Sequence, residues 1–392
     1  MTAINLSLVS LPIELVHRIL DNLDDLTILM SLRNVCSRLN LIIDTYHRYQ
    51  TLTMLNIANL RWKSQELPRL YNLLLNNTIL VTLDLAYNRI GDEDTWSLVN
   101  TLKNKKVLIS LNLAKNDIGF KGAQYLADAL HENTTLGAIV LEFNNIGSQG
   151  TEYLVHALNH NRSLNILNLR QNKISADGVK YLSQALQNNE TLKTLVLDLN
   201  HIGEQGTQYL ADGLENNKTL AVLNLRWNQI GNQGVQYLAN ALKNNTMLTT
   251  LNLMVNDIDS KGVKYLTDAL QHTKAITELM LEGDELGDRG TQYLANALEN
   301  NNTLITLNLQ ENGISDEGAY CLTNALKINA KLEVLNLPRN KIHSPGLLNL
   351  VNALKYNTTL MILNLQLNSI DDDQVVRQLA NNLGKDADRV FW

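Results

Sequence analysis

The sequence predicts an α/β repeat protein in which short strands alternate with helices. Two observations support this prediction. The chain holds 77 Leu and 52 Asn among its 392 residues, and so biased a pairing is typical of a repeated structural unit. A Leu-x-x-Leu-x-Leu-x-x pattern also recurs every 28 residues without an insertion. It ends at positions 88, 116, 144, 172, 200, 228, 256, 284, 312, 340 and 368, where Asn stands ten times and Asp once.

Residues 1–48 lie outside this period and are predicted to form a small all-α segment. Pro12 suits the first turn of a helix, and Glu14 lies where a negative charge favours the helix dipole. An apolar stripe follows, formed by Leu15, Ile19, Leu20 and Leu23. Two further short helices are predicted at 24–32 and 35–44. Helices this short bury little area alone, so their apolar faces need a partner or the repeats to cover them.

Residues 49–79 are predicted to form a degenerate N-terminal capping repeat, in which Leu60 replaces the Asn. Three apolar residues lie 28 positions before their counterparts in the first full repeat: Leu52, Leu55 and Ile57. Atypical end units are expected where a repeat array must be capped. Residues 80–392 then hold eleven repeats, which we number 1 to 11 from Leu80, with a C-terminal cap.

Each repeat is interpreted as strand, turn, helix and turn, as residues 164–191 illustrate. Leu167 and Leu169 alternate, which predicts a short strand with one buried face. Asn172 lies where the chain leaves the strand, and its amide can both donate to and accept from turn backbone. Helical spacing then follows at Val179, Leu182 and Leu186. A Gly after the Asn, at 119, 147, 203, 231 and 287, predicts a tight turn with unusual dihedrals.

These repeats resemble the 28-residue, helix-bearing leucine-rich repeat typified by ribonuclease inhibitor. The resemblance covers most of the chain. It implies a leucine-rich-repeat solenoid of horseshoe shape, with parallel strands on the concave face and helices on the convex face.

The N-terminal segment resembles the F-box. The matching residues are Leu11-Pro12, Glu14-Leu15, Ile19-Leu20, Leu23, Val35-Cys36, Arg38-Leu39 and Ile43-Asp44. Leu39 is a departure, because many members carry Trp or Phe there. The resemblance implies docking on the Skp-type adaptor of a cullin–RING ubiquitin ligase, through Leu11, Pro12, Ile13, Leu15, Ile19, Leu20 and Leu23. The alternative is a helical cap that only covers the core of the first repeat.

Composition and charge disfavour several function classes. The formal net charge is −6, whereas a sequence-independent nucleic-acid binder needs a basic surface, so we expect no nucleic-acid partner. Two cysteines cannot form a disulfide framework, which fits a reducing compartment. No apolar stretch approaches the roughly 18 residues of a membrane helix, and the N-terminus lacks the basic start of a signal peptide. We therefore expect no membrane association and residence in the cytoplasm or the nucleus.

We also expect no enzyme activity, metal or cofactor. The histidines do not group with Cys or carboxylates at metal-ligand spacing. His156 and His160 are four residues apart and suit a weak metal site, but solvated surface His is the favoured interpretation. Cys36 and Cys321 have no evident His partner, and no G-x-x-x-x-G-K-[ST] phosphate loop occurs.

Target binding is predicted on the columns of equivalent positions that vary between repeats. The columns that start at Ala86 and Tyr87 are expected on the strands, facing the concave side. One column alternates in charge through Glu142, Arg170, Asp198 and Arg226, which indicates either a recognition strip or a ladder of exposed pairs. Large apolar residues without a core role indicate interface anchors around Trp227. The predicted target site is Phe143, Arg170, Leu199, Arg226, Trp227, Met254 and Glu282.

Two further features belong to repeat 8. Its acidic residues suit a basic partner segment or reflect drift, and they are Glu278, Glu282, Asp284 and Glu285. Asp284 also loses the amide donors that Asn supplies in the other repeats.

Together these features predict the substrate-recognition subunit of an SCF-type ubiquitin ligase, which binds the Skp-type adaptor and a protein target. The alternative is a non-enzymatic scaffold, inhibitor or GTPase regulator of the ribonuclease-inhibitor-like repeat class. Ribonuclease inhibitor itself is cysteine-rich and alternates two repeat lengths, so the similarity to it is one of fold.

Overall fold

The computed structural model describes residues 12–20, 52–60, 74, 77–103, 106–370 and 388–391. It forms two compact units, residues 1–167 and 168–392. In the described part of each unit, short parallel strands alternate with helices of 11 to 13 residues once the repeats begin. The predicted α/β leucine-rich-repeat fold is therefore confirmed.

The first unit begins with helix α1 (Ile13–Leu20). Its strands are β1 (Met54–Asn56), β2 (Thr82–Asp84), β3 (Ser110–Asn112) and β4 (Ala138–Val140). Its repeat helices are α2 (Asp92–Leu102), α3 (Phe120–Glu132) and α4 (Gly147–Leu158). These strands pair in sequence order, and each strand centre lies opposite the residue 28 positions further on, as Leu83 does opposite Leu111. The division between the two units falls inside strand β5 (Ile166–Asn168).

The second unit continues the same alternation. Its helices are α5 (Ala176–Asn188), α6 (Gly203–Leu214), α7 (Gly231–Leu242), α8 (Ser260–Leu270), α9 (Gly287–Leu298), α10 (Asp316–Ile328) and α11 (Ser344–Leu354). Its strands are β6 (Thr194–Val196), β7 (Val222–Asn224), β8 (Thr250–Asn252), β9 (Glu278–Met280), β10 (Thr306–Asn308), β11 (Val334–Asn336), β12 (Ile362–Asn364) and β13 (Val390–Phe391). Val390 is buried and lies opposite Leu363 of β12, so these last residues extend the sheet past the final repeat.

The core lies between the strand layer and the helix layer of each unit. Each repeat strand has a buried centre and less buried flanks, and Leu223 and Leu251 are fully buried there. Val235 and Leu238 of α7 supply the helix side and are also buried. The high Leu content therefore fills a two-layer core, which leaves the flanking strand positions for the surface.

Within each unit, buried asparagines connect neighbouring repeats at the strand ends. The side-chain oxygen of Asn200 accepts from the backbone N–H of Asn172 at 2.9 Å and of Ile174 at 3.0 Å. Its amide nitrogen donates to the carbonyls of Leu169 and Leu197, which belong to consecutive repeats. The predicted dual role of this Asn is confirmed. We call the positions 88 to 368 the strand-end ladder.

A second set of asparagines connects repeats at the helix ends. Asn217 donates to the carbonyl of Leu186 in the preceding repeat at 2.7 Å, and its oxygen accepts from the N–H groups of Thr219 and Leu220. We call this set the helix-end ladder. Its members are Asn77, Asn133, Asn161, Asn189, Asn217, Asn245, Asn301, Asn329 and Asn357. Two ladders with buried amides account for much of the high Asn content, because buried turn backbone needs partners.

The helices begin in two different ways. Gly147, Gly203, Gly231 and Gly287 have φ between 57° and 63°, as predicted from the turn. Gly119 instead has a φ of −97°, so the prediction of unusual dihedrals is wrong there. The reason is Asp92 of the preceding helix, whose Oδ1 accepts from the N–H groups of Gly119 and Gly122 at 2.7 and 2.8 Å. In the second unit the same capping is provided by Asn232, Asp288 and Asp316.

Candidate functional site

The residue before each strand-end ladder position adopts a left-handed backbone conformation. Its φ lies between 48° and 71° in all eleven repeats, from Tyr87 to Leu367, and the residue is Gly only at position 283. We call this set the turn column. The strands end three residues earlier, as β7 does at Asn224, so the expectation that both variable columns lie on strands is wrong. Backbone pairing nevertheless continues, since the N–H of Trp227 donates to the carbonyl of Met254 at 3.0 Å.

The turn column carries large apolar side chains in the second unit. The left-handed backbone is unfavourable for them, and they do not fill the core. A left-handed conformation costs a non-Gly residue about 1–2 kcal/mol, and a β-branched residue such as Val255 is especially unfavourable there. Trp227 is 50% exposed, and Leu199 and Val255 are half-buried. Strain with no compensating burial is typical of functional surfaces. The second unit therefore presents an apolar patch of Leu199, Trp227 and Val255 that suits protein contact.

The neighbouring column combines charged and apolar side chains. Asp198 is buried rather than exposed, and its Oδ1 accepts from the backbone N–H of Arg226 at 2.9 Å. Arg226, Met254 and Glu282 follow in consecutive repeats and are all half-buried. Glu282 accepts from the side-chain amides of Gln310 and Asn308 at 3.0 and 3.3 Å.

The predicted target residues fall in both units. The second unit holds Arg170, Leu199, Arg226, Trp227, Met254 and Glu282, whereas Phe143 belongs to the first unit. There the Lys115 ammonium lies 4.5 Å from the ring centre of Phe143 and 4.8 Å from that of Tyr87. Sequence reasoning missed this aromatic–Lys–aromatic stack, although the 28-residue spacing of the three residues was the signal for it. Each such contact contributes about 0.5–1 kcal/mol at an exposed site.

The junction between repeats 7 and 8 interrupts both ladders. Asp284 is only 3% exposed, and its Oδ1 accepts from the N–H groups of Asn256 and Ile258 at 2.9 and 3.0 Å. Its Oδ2 is buried and has no hydrogen-bond partner in the part of the chain that the structure describes. In the other repeats, Asn donates to carbonyls from this position. Burial raises the pKa of this carboxyl to about 7, and the nearby Asp257 adds to the effect. Thr273 replaces the helix-end Asn at the same junction. The predicted loss of amide donors at Asp284 is confirmed.

Helix α1 presents part of the predicted adaptor surface. Ile13 and Leu15 are each 42% exposed, and Ile19 is half-buried. Pro12 directly precedes the helix, and its carbonyl accepts from the N–H of Val16, the residue that anchors the helix by being fully buried. Leu20 ends the helix. Leu11, Leu23 and the two further predicted helices lie outside the described residues.

The described residues contain no group of three His, Cys, Asp or Glu side chains that would hold a metal ion. His160 instead packs edge-on against His131, with ring centres 4.8 Å apart. Burial, together with the carboxylates of Asp288 and Glu317, raises the pKa of the Cys321 thiol, which disfavours a nucleophilic thiolate. Cys36 lies outside the described residues. No helix within the described ranges has the length and apolar character needed to cross a membrane.

Family models match both parts of the chain. An F-box domain model matches residues 8–51. A Leucine Rich repeat model matches eight segments, at 76–94, 104–127, 160–183, 188–211, 216–239, 244–266, 300–322 and 356–373. No curated protein matches the chain.

Solved structures show the fold alone. An internalin from Listeria monocytogenes is 20% identical with a TM-score of 0.50, over 85% of this chain and 86% of its own. Two shorter similarities, each over 36% of this chain with a TM-score of 0.32, carry no argument. They are leiomodin-1 actin-binding site 2, at 25% identity over 85% of that chain, and the Caenorhabditis elegans tropomodulin C-terminal domain, at 19% over 89%.

Proposed function

We propose that this chain, an F-box and leucine-rich-repeat protein, is the substrate-recognition subunit of an SCF-type cullin–RING ubiquitin ligase. The observation that carries the proposal is the presence of both modules in one chain. The F-box at 8–51 binds a Skp-type adaptor, and the repeats bind the protein that receives ubiquitin. The chain works in the cytoplasm or the nucleus, where such ligases meet their targets.

The exposed side chains of α1 support the adaptor half of the proposal. Val16 anchors the helix while Ile13 and Leu15, on either side of Glu14, remain substantially exposed. Neighbouring exposed apolar side chains are unfavourable in water unless a partner covers them. Positions two apart on a helix point in different directions, so a Skp-type adaptor removes both side chains from water by enclosing this first turn. The predicted contact set extends to Leu11, Pro12, Ile19, Leu20 and Leu23.

The strand face of the repeats supports the target half. Trp227 and its neighbours form an exposed apolar patch beside charged side chains, which is the composition of an interface with an anchor and a polar rim. The chain then contributes no bond-making step. It raises the effective concentration of the target near the ubiquitin-transferring subunits, because adaptor and target are held by one polypeptide.

Adaptor binding gives a direct test. We expect a Skp-type subunit to co-purify with the full chain, and Ile13→Asp to abolish this because it places a charge against the apolar adaptor surface. Glu14→Gln is the matched control on the same exposed turn and should bind normally. Leu11→Ala combined with Pro12→Ala should also lose the adaptor. Retained binding after deletion of residues 1–48 would overturn the proposal and favour a helical cap.

A further inference from the structure

Three consecutive repeats of the second unit present a cation, an apolar group and an anion in one column. Arg226 belongs to repeat 6, Met254 to repeat 7 and Glu282 to repeat 8, and all three are half-buried. Their strands β7, β8 and β9 pair in parallel without an offset. Since neighbouring strands lie about 4.8 Å apart, the backbone positions of Arg226 and Glu282 are about 10 Å apart.

Among the described residues, neither charge at the ends of this column has a partner of opposite sign. Within the described ranges, the Arg226 guanidinium makes no hydrogen bond or ion pair, and its Nε is buried without an acceptor. Glu282 receives only the neutral amides of Asn308 and Gln310. An unpartnered guanidinium nitrogen out of contact with water is costly, and a carboxylate accepts a cation more strongly than an amide. The column is therefore complementary to an anion at one end and a cation at the other.

The turn column adds an apolar strip beside it. Trp227 and Val255 lie next to Arg226 and Met254 in sequence and hold strained left-handed conformations. Trp227 has half of its surface exposed. Met254 and Val255 continue the apolar strip into repeat 7. A partner that fits this surface needs an apolar group between its two charges.

The spacing decides the conformation of the partner. An α-helix repeats its surface every 5.4 Å, so positions i, i+4 and i+7 of one face span about 10.5 Å. This matches the roughly 10 Å spanned by three neighbouring strands, which are separated by two gaps of about 4.8 Å. An extended chain places side chains on one face about every 6.6–6.8 Å, so they do not stay aligned with strands that are about 4.8 Å apart.

We infer that the strand face of repeats 6 to 8 binds an α-helix of the partner protein, whose face carries an acidic residue, an apolar residue and a basic residue one helical turn apart. The acidic residue pairs with Arg226, the apolar residue packs on Met254 and Trp227, and the basic residue pairs with Glu282. This inference rests on the proposed function, because the helix belongs to the ligase target.

A selection experiment tests the inference without a known target. The probe is a displayed library of three-helix-bundle scaffolds with one randomised helix face, selected against the immobilised full chain beside a library of linear peptides. We expect enriched helices with an acidic and a basic residue seven positions apart and an aliphatic or aromatic residue between them. Enrichment of linear peptides alone, of helices without this pattern, or of nothing above the empty scaffold would overturn the inference.

Variants of the chain give the internal controls. Selection against Arg226→Glu should yield helices that are basic at both ends. Arg339→Glu, a charge reversal in the turn column of repeat 10, should select the original pattern.

Trp227→Ala should weaken the binding of the selected helices about 30-fold or more, as expected for an interface hot spot. Trp96→Ala, which removes a similarly exposed Trp from α2, should leave the affinity unchanged. An unchanged pattern with Arg226→Glu would refute the charge pairing. Adaptor co-purification is measured separately, so its loss would identify a failure of the proposed function instead.

Discussion

Replacing Asp284 by Asn should stabilise the protein, and by an amount that grows with pH. In the strand-end ladder, Asn donates its amide hydrogens to backbone carbonyls, as Asn256 does to Leu225 and Leu253 at 2.9 and 2.8 Å. Asp284 keeps the two bonds that its Oδ1 accepts but leaves Oδ2 buried without a donor. An ionised carboxylate at this position is therefore poorly solvated, whereas Asn restores the donor and carries no charge.

The magnitude follows from the pKa of this carboxyl, which burial raises from 3.8 to about 7. Because the folded state holds the proton more tightly, stability falls as the pH rises from about 4 to about 7. Below this window both states are protonated, and above it both are ionised and the full penalty applies. Three pKa units at 1.36 kcal/mol each amount to about 4 kcal/mol. The advantage of Asp284→Asn should approach this value at pH 8 and shrink toward pH 4.

Urea unfolding at pH 4.5, 6 and 8 measures this advantage. Hydrogen exchange at the amides of Asn256 and Ile258, which donate to Asp284, gives a local reading that does not require the array to unfold as one unit. Asp257→Asn is the matched control, because it makes the same chemical change at an exposed neighbour. The control should keep the pH dependence, with its midpoint at slightly lower pH. Equal stabilities of Asp284→Asn and the parent at pH 8, or a gap that does not change with pH, would refute the reasoning.

Three further predictions concern stability. Asn200→Leu should destabilise by about 3–5 kcal/mol in urea unfolding, because it leaves buried N–H groups and carbonyls unpaired; a smaller loss than from the exposed change Asn302→Leu would contradict the ladder. Gly203→Ala should lower stability by about 1–2 kcal/mol because φ is 61° there, and a thermal melt equal to that of the parent would argue against strain. Removal of residues 385–392 should expose Leu363 and promote aggregation, measured by light scattering, and a monomeric truncated protein would exclude a capping role.

The sequence predicted the features that depend on period and residue type alone. A constant spacing of 28 residues fixes strand register, because it leaves no alternative in which Leu83 and Leu111 both face the core. The dual hydrogen bonding of Asn172 and Asn200 follows from an amide that both donates and accepts. The loss of donors at Asp284 follows in the same way, because a carboxylate lacks the two amide hydrogens of Asn.

The features that sequence could not give depend on backbone path or on distant residues. Side chains keep alternating past the end of β7, so the pattern does not reveal that Trp227 has a positive φ. The conformation of Gly119 is set by Asp92, which lies 27 positions earlier. Asp92 is not one of the Leu or Asn positions that define the repeat. Asp198 was expected to be exposed because its column was placed on the concave face, yet the residue is buried and its carboxylate accepts from the N–H of Arg226.

The left-handed turn column separates recognition from folding. Its backbone keeps the same conformation whether it carries the hydrogen of Gly283, the chain of Glu311 or the indole of Trp227. The side chain at such a position can therefore be exchanged without repacking the Leu core or breaking either Asn ladder, although neighbours in the column contact each other, as Glu311 and Arg339 do. Eleven such positions on one chain are therefore available for a change of specificity, whether by evolution or by design. The left-handed backbone costs least with Gly and most with a β-branched residue such as Val, and among the other residue types the choice is left to the partner.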